Sequence, residues 1–438
     1  MITRQLIMKR KTTKNLVALL LYCLIFLTYS CGSCGGRNDR KKTVAETPPQ
    51  VENNTKISKV VFYLENSGSM FGYISNITEY VEDISELSEK PDFVAEKIKR
   101  EFYFINGANK QGQSFCVTPI GSNPAVFKSK LNRNGFNCGN TKTSDLNSMF
   151  QVALAKAQDD IISILISDAI YDIKQPQSSL NVLATEGRET RSKFITRLEN
   201  GDLQTLMIKL KSRFDGYYYY SSTKGQKEIH QFRPFYIWIF GKSELLNNYF
   251  SEEYISKYLK GYDNYARFLI INENSILYQI VPSLNRKGNF ALDRKVKNKI
   301  IDAKKDRNGQ GFQFTIAVDY SSLPFSDNYL TSIANYHINS NYKIVAIQKV
   351  SKKIHEVTAF NPTYTITVYT DKNPYGNLEI SLQYGAPSWI AETDVDNENN
   401  IDEIHTFGFK YLTDAISEAY SYKNRDKKLA TFKIEISN

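Results

Sequence analysis

The chain has 438 residues, with 56 Lys and Arg against 46 Asp and Glu, a formal net charge of +10, and 13% aromatic residues. This length exceeds what one core ordinarily serves, so more than one domain is expected. The basic excess does not point to nucleic acid. Five positive charges (Arg4, Lys9, Arg10, Lys11, Lys14) and no acidic residue fall in the first thirty positions, which leaves +5 for the rest. Beyond Arg37 to Lys42, no Lys/Arg cluster with interleaved aromatics stands out.

Residues 1–30 have the three-part organisation of an export signal: the basic start, an apolar run from Leu16 to Leu27, then Thr28, Tyr29 and Ser30 before Cys31. The run is shorter than the about 20 apolar residues that span a bilayer, so cleavage is expected. Leu27 to Cys31 resembles the bacterial lipobox, although Tyr29 is bulkier than usual there, and Cys34 is a second candidate. The resemblance implies that Cys31 is acylated and becomes the mature N-terminus. It also implies an envelope location, with Gly32 after the cysteine favouring the periplasmic side of an outer membrane. Residues 31–57, with Gly35, Gly36, Pro48 and Pro49 and almost no large apolar group, read as a flexible tether.

Between residues 58 and 273, short β-branched and aromatic runs alternate with stretches of helical period, the pattern of a sheet covered by helices on both faces. Lys59 to Leu64, Phe102 to Ile105, Ile161 to Ser167, Phe235 to Phe240 and Arg267 to Ile271 are apolar on consecutive positions, as buried parallel strands are. Helical spacing joins Ile74, Ile77, Tyr80, Val81, Ile84 and Leu87; Leu146, Met149, Phe150, Ala153 and Ala157; and Leu203, Leu206, Met207 and Leu210. Cys116 and Cys138 lie in this region. An oxidising compartment permits a disulfide between them, which would close a loop of about 20 residues and contribute roughly 3 kcal/mol.

From residue 274 the texture turns β-rich: Gly311 to Val318, Tyr342 to Gln348, Tyr364 to Tyr369, Leu378 to Gln383 and Ala430 to Ile436. Asp371 to Gly376 has the Pro and Gly of a tight reversal. One helical stretch, Tyr411 to Tyr420, interrupts a region expected to be a sandwich-like C-terminal domain over residues 274–438.

The first strand ends in Leu64-Glu65-Asn66-Ser67-Gly68-Ser69-Met70. This resembles the metal-site loop of von Willebrand factor type A domains, where Asp-x-Ser-x-Ser follows the first strand. Glu65, Ser67 and Ser69 match by position, with Glu65 in place of the family's Asp. Two further elements occur in the family's order. Thr143-Ser144-Asp145-Leu146 matches its threonine loop, with Ser144 best aligned and Thr143 the alternate, and Ser163 to Asp168 matches a strand ending in the site aspartate. The resemblance covers roughly half of the chain. It implies an α/β, Rossmann-like type A domain with a central, mostly parallel sheet over residues 58–273. It also implies a Mg2+ or Ca2+ held by Glu65, Ser67, Ser69, Ser144 and Asp168, with an open position for an acidic ligand. Magnesium wants near-octahedral oxygen coordination, and the added methylene of Glu65 leaves three readings open: direct ligation by the longer side chain, a preference for the more tolerant calcium, or a site that keeps the fold without an ion.

Other constellations carry less. Asp394, Asp396, Glu398, Asn400 and Asp402 alternate as in a calcium loop, but no mid-loop glycine is present and His405 stands where the closing glutamate belongs, so a solvated acidic loop is the plainer reading. His230, His337, His355 and His405 lack zinc-ligand spacing. Trp238, Trp389 and Tyr217 to Tyr220 are read as core residues, with a sugar-stacking platform as the alternative. The expected function is a lipid-anchored, non-enzymatic protein that binds or scaffolds a protein or glycan partner. The alternative is a metal-dependent phosphoester hydrolase using a serine of the same cluster, with Glu65 or Asp168 as its base.

Overall fold

Two uninterrupted apolar runs set the centre of the molecule. In the computed structural model, β1 (Lys59–Glu65), β2 (Lys99–Gly107), β3 (Phe115–Gly121) and β4 (Ile161–Ser167) form one side of a sheet. β1 and β4 are buried on nearly every position, as strands covered on both faces must be. β1 lies parallel to both β2 and β4, with Val60 opposite Arg100 and Ile162. β5 (Gln204–Tyr219), β6 (Gln226–Gly241) and β7 (Tyr262–Phe268) complete a seven-stranded mixed sheet in the order β3-β2-β1-β4-β6-β5-β7. The structure describes residues 55–107, 115–171, 179–220, 225–270, 276–339, 341–423 and 427–437. Residues 1–54, on which the expected leader, Cys31, Cys34 and most of the expected tether fall, lie outside them.

The expected mostly parallel sheet is therefore corrected: only β2, β1 and β4 run parallel, and the pairings of β3, β5, β6 and β7 are antiparallel. Leu203 to Leu210 is the source of the difference. These residues satisfy helical spacing, but Thr205 and Ile208 between them are buried as well, as in a strand covered on both faces. The segment is β5, and its full-length antiparallel pairing with β6, Gln204 opposite Gly241 and Tyr219 opposite Gln226, sets the direction of that half of the sheet. The strand expected at Arg267 to Ile271 ends at Phe268 and starts earlier, at Tyr262.

Alternate side chains of β6 feed the two faces. On one, Phe235 packs 4.9 Å from Tyr80 of α1 (Glu79–Ser88), a helix capped by Thr78, and 5.8 Å from Tyr73 of the 3-10 helix Gly68–Ile74. On the other, Trp238 and Phe240 meet Phe150 of α2 (Leu146–Lys156), and Phe240 meets Phe194 of α3 (Ser179–Glu199). The same face receives α4 (Phe409–Lys423), whose Tyr420 packs on Phe268 and whose hydroxyl lies 2.8 Å from Thr205 Oγ1. The boundary expected at residue 273 thus separates the sheets but not the packing, and residues 54–438 form one compact unit. Ile57, expected in the tether, is already buried.

Apart from a two-stranded pairing of Asp394–Val395 with Thr406–Phe407, the remaining strands make two sheets, of which the five-stranded one includes Asn289–Leu292, Gly376–Gln383 and Lys428–Ile436. A four-stranded sheet includes Tyr278–Val281, Phe312–Val318 and Tyr364–Thr370. Their aromatic side chains meet, Phe290 with Phe312 at 5.6 Å and Tyr278 with Phe432 at 5.1 Å. Asp371 to Gly376 does not close a hairpin: it carries the chain from the four-stranded sheet to the five-stranded one, with Gly376 at φ +103°. Among the described residues no helix is long and apolar enough to cross a membrane.

No bond joins Cys116 and Cys138, which are half-buried thiols. Strand pairing sets Cys116 opposite Asn106, whose amide donates to the Cys138 carbonyl at 2.7 Å, so the segments are neighbours. The Cys138 sulfur, however, lies 3.4 Å from Asn66 Nδ2, which donates to it.

Candidate metal centre and its cavity

The site forms where the three parallel strands end, the crevice in which open α/β sheets place ligands. β1 delivers Glu65, 2% exposed, and the chain then turns sharply into the 3-10 helix. Asn66 fixes that turn: its buried amide donates to the carbonyls of Phe136 at 2.8 Å and Cys138 at 3.0 Å. The backbone N–H of Gly68 donates to Thr141 at 2.7 Å. At the end of β2, Asn106 accepts from the Asn140 N–H at 3.1 Å, and the N–H of Gly107 donates to the Thr143 carbonyl at 2.7 Å. A side chain on Gly107 would sit 2.5 Å from that carbonyl oxygen, so only glycine lets the 141–144 loop lie against the strand end. Asn66, Asn106 and Gly107 were not singled out from sequence. Their signal is a shared position, an Asn immediately after or at the end of adjacent parallel strands.

This scaffold brings all five expected residues together. Ser67 Oγ donates to Glu65 Oε1 at 2.6 Å and lies 3.1 Å from Ser69 Oγ. The Ser144 and Ser167 hydroxyls stand close enough to the Glu65 carboxyl, and that of Ser69 to Asp168, to favour the ionised forms, although only Ser67 makes a close hydrogen bond. Thr143, the alternate to Ser144, instead accepts from Asn140 Nδ2 at 3.3 Å. Asp145 is no part of the cluster: it caps α2 by accepting from Ser148. Asp168 ends β4, and the next residue, Ala169, is held at φ +59°, a left-handed conformation that Ala adopts at a cost of roughly 1–2 kcal/mol. Asp168 Oδ1 takes a long 3.4 Å bond from the Ile170 N–H, while Oδ2 is buried with no hydrogen-bond partner.

The electrostatics follow from burial. Loss of water, then the neighbouring Asp168 carboxylate, pushes Glu65 up to about 8, against the pull of the three serine hydroxyls. Burial raises Asp168 too, opposed by Ser69 and by the Arg233 guanidinium. Arg233, on β6, is 1% exposed and stacks over Tyr218 at 4.6 Å and Phe214 at 5.3 Å; its Nε and Nη2 have no hydrogen-bond partner. Two buried carboxylates against one guanidinium leave one negative charge uncompensated when both ionise. A divalent cation matches that demand, and the donors are the oxygens that Mg2+ and Ca2+ prefer. Ser67, Ser69, Ser144 and Asp168 have the oxygens to hold it, with Glu65 bracing the hydroxyls. Among the described residues no group of three or more His, Cys, Asp and Glu gathers, here or elsewhere.

The cluster opens on a cavity of about 370 Å3, lined also by Thr141, Lys142, Ile170, Tyr171, Tyr219 and Tyr220. Tyr219 belongs to the long β5–β6 arm and lies over Gly68, its ring 3.2 Å from where a side chain there would begin. The aromatic run therefore splits: Tyr218 is fully buried, whereas Tyr217 and Tyr219 are 42% and 46% exposed. Trp238 is core, and Trp389 is partly buried against it. The acidic loop is not wholly solvated. Glu398 is buried and accepts from the Tyr218 hydroxyl at 3.1 Å, while Asp394 and Asp402 accept from backbone N–H groups of Lys410, Ile404 and His405. His230 and His405 pair with Asp215 and Asp402, away from the cavity. No family model, curated protein or solved structure matches the chain.

Proposed function

We propose that the chain is an envelope-anchored lipoprotein, held through acylated Cys31 at the periplasmic side of an outer membrane. Its first sheet is a type A-like binding domain that captures a protein or glycan partner through Mg2+ or Ca2+. The observation that carries this reading is the buried, unpartnered Asp168 Oδ2 beside the hydroxyl cluster braced by Glu65, at the mouth of a cavity. The kinship with Rossmann-like type A domains is supported by the parallel trio β2-β1-β4 and by a site at its carboxyl ends. The sheets beyond residue 274 are read as a sandwich-like part that helps present this face.

Calorimetric titration of the chelator-treated protein with Mg2+ and with Ca2+ tests the reading. One equivalent should bind, and Ser69→Ala and Asp168→Ala should each weaken it at least tenfold. Unchanged binding in both variants sinks the proposal. The 2.6 Å contact between Ser67 and Glu65 also favours a second reading, a phosphoester hydrolase with Ser67 as nucleophile and Glu65 as base. Metal-dependent turnover of p-nitrophenyl phosphate that Ser67→Ala abolishes would establish it.

A further inference from the structure

We propose that the cavity takes a carboxylated sugar, with its carboxylate at the cation and its ring against Tyr219 and Tyr220. The inference rests on the cation-binding reading above and names the ligand class for the same site. Four observations carry it. With a divalent ion in place, Glu65, Asp168 and Arg233 leave one positive charge, and Lys142 on the rim adds another, so the open position calls for an anion. With the three serines on the cation, the lining still offers the hydroxyls of Thr141 and Thr143 beside the tyrosines, which suits a ligand with hydroxyls of its own.

The third observation is the wall. Tyr219 stands over the Gly68 turn, half exposed, and offers a flat, amphipathic ring on which the C–H face of a pyranose packs. The fourth is size and shape: at about 370 Å3 the space lies within the roughly 300–1,000 Å3 of small-ligand pockets. An acidic side chain on a partner protein would satisfy the charge, but it would leave the tyrosine faces and the Thr141 and Thr143 hydroxyls uncovered. A neutral sugar would cover the rings and leave the charge unanswered.

The test titrates the full chain, loaded with Mg2+ or Ca2+, with trigalacturonate and with 3′-sialyllactose. Maltotriose and a glutamate-containing peptide serve as controls, and metal binding alone is measured first. Binding of at least one acidic saccharide is expected only in the presence of metal and at least tenfold tighter than either control. Tyr219→Ala should weaken it about tenfold, which corresponds to about 1.4 kcal/mol. Tyr217→Ala, on the same arm but outside the cavity lining, should leave it unchanged, and metal affinity should not move in either variant. Metal binding with no acidic-saccharide binding overturns the inference and spares the cation site. Equal or tighter binding of the peptide, or indifference to Tyr219→Ala, also overturns it. Failure of the metal titration itself removes the underlying reading.

Discussion

Replacing Glu65 by Gln tests the electrostatic account of the site most directly. Glu65 goes from about 4.5 when unfolded to about 8 in the folded protein, because burial and Asp168 disfavour its charge. A raised carboxyl contributes stability that is fully present below the unfolded value and is lost as pH rises through the folded one. Between about pH 4.5 and 8 the folded state binds one proton more than the unfolded state, and each pH unit in that window removes up to about 1.4 kcal/mol. Relaxation around the carboxyl and the nearby Arg233 charge reduce the total to a few kcal/mol. The metal-free protein is therefore expected to lose several degrees of melting temperature from pH 5 to pH 8.5. Glu65→Gln keeps the acceptor for Ser67 and lets the Ser144 and Ser167 hydroxyls reorient toward the amide, so its melting temperature should change much less over the same range. Mg2+ or Ca2+ should restore the wild-type protein at pH 8.5, because the cation replaces the lost proton. Thermal melts by circular dichroism, with and without chelator, read all three. Parallel pH profiles for the two chelated proteins would refute the reasoning.

Gly107→Ala should cost about 1–3 kcal/mol, since its methyl group must push the 141–144 loop from the end of β2, and cation affinity should fall with it as Ser144 moves. Urea denaturation and the metal titration check this together; unchanged affinity would uncouple the loop from the site. Tyr420→Phe removes the buried partner of the Thr205 hydroxyl and should cost roughly 1–2 kcal/mol in a single cooperative transition. Two separate transitions would mean that α4 does not belong to the first sheet's cooperative unit.

Much of this architecture is written locally. The runs at β1 and β4 are apolar on consecutive positions because they are covered on both faces, and α2 carries its own cap in Asp145. The hydroxyl-rich loop after β1, the 143–146 loop and the aspartate ending β4 were legible as three motifs in order, since strand ends impose their own residue types. What spacing alone misjudged were segments whose burial is decided by distant partners. Leu203 to Leu210 fits a helix by period, but Gln204 onward belongs to β5, which pairs along β6 for sixteen positions. Nothing local distinguishes those two outcomes.

The sequence by itself therefore determined that β1 and β4 are buried strands and which side chains stand at their ends. Only the tertiary structure decided that the sheet is mixed, that Cys116 and Cys138 are separate thiols, and that α4 returns to pack on Tyr236 and Phe268. It alone also decided that Arg233 lies behind the carboxylates and Tyr219 over the cation loop. The physical reason is range: propensity and period act within a few residues, whereas these features join residues tens to hundreds of positions apart. Glu65 meets Asp168 and Gly68 meets Tyr219 only once the chain is packed.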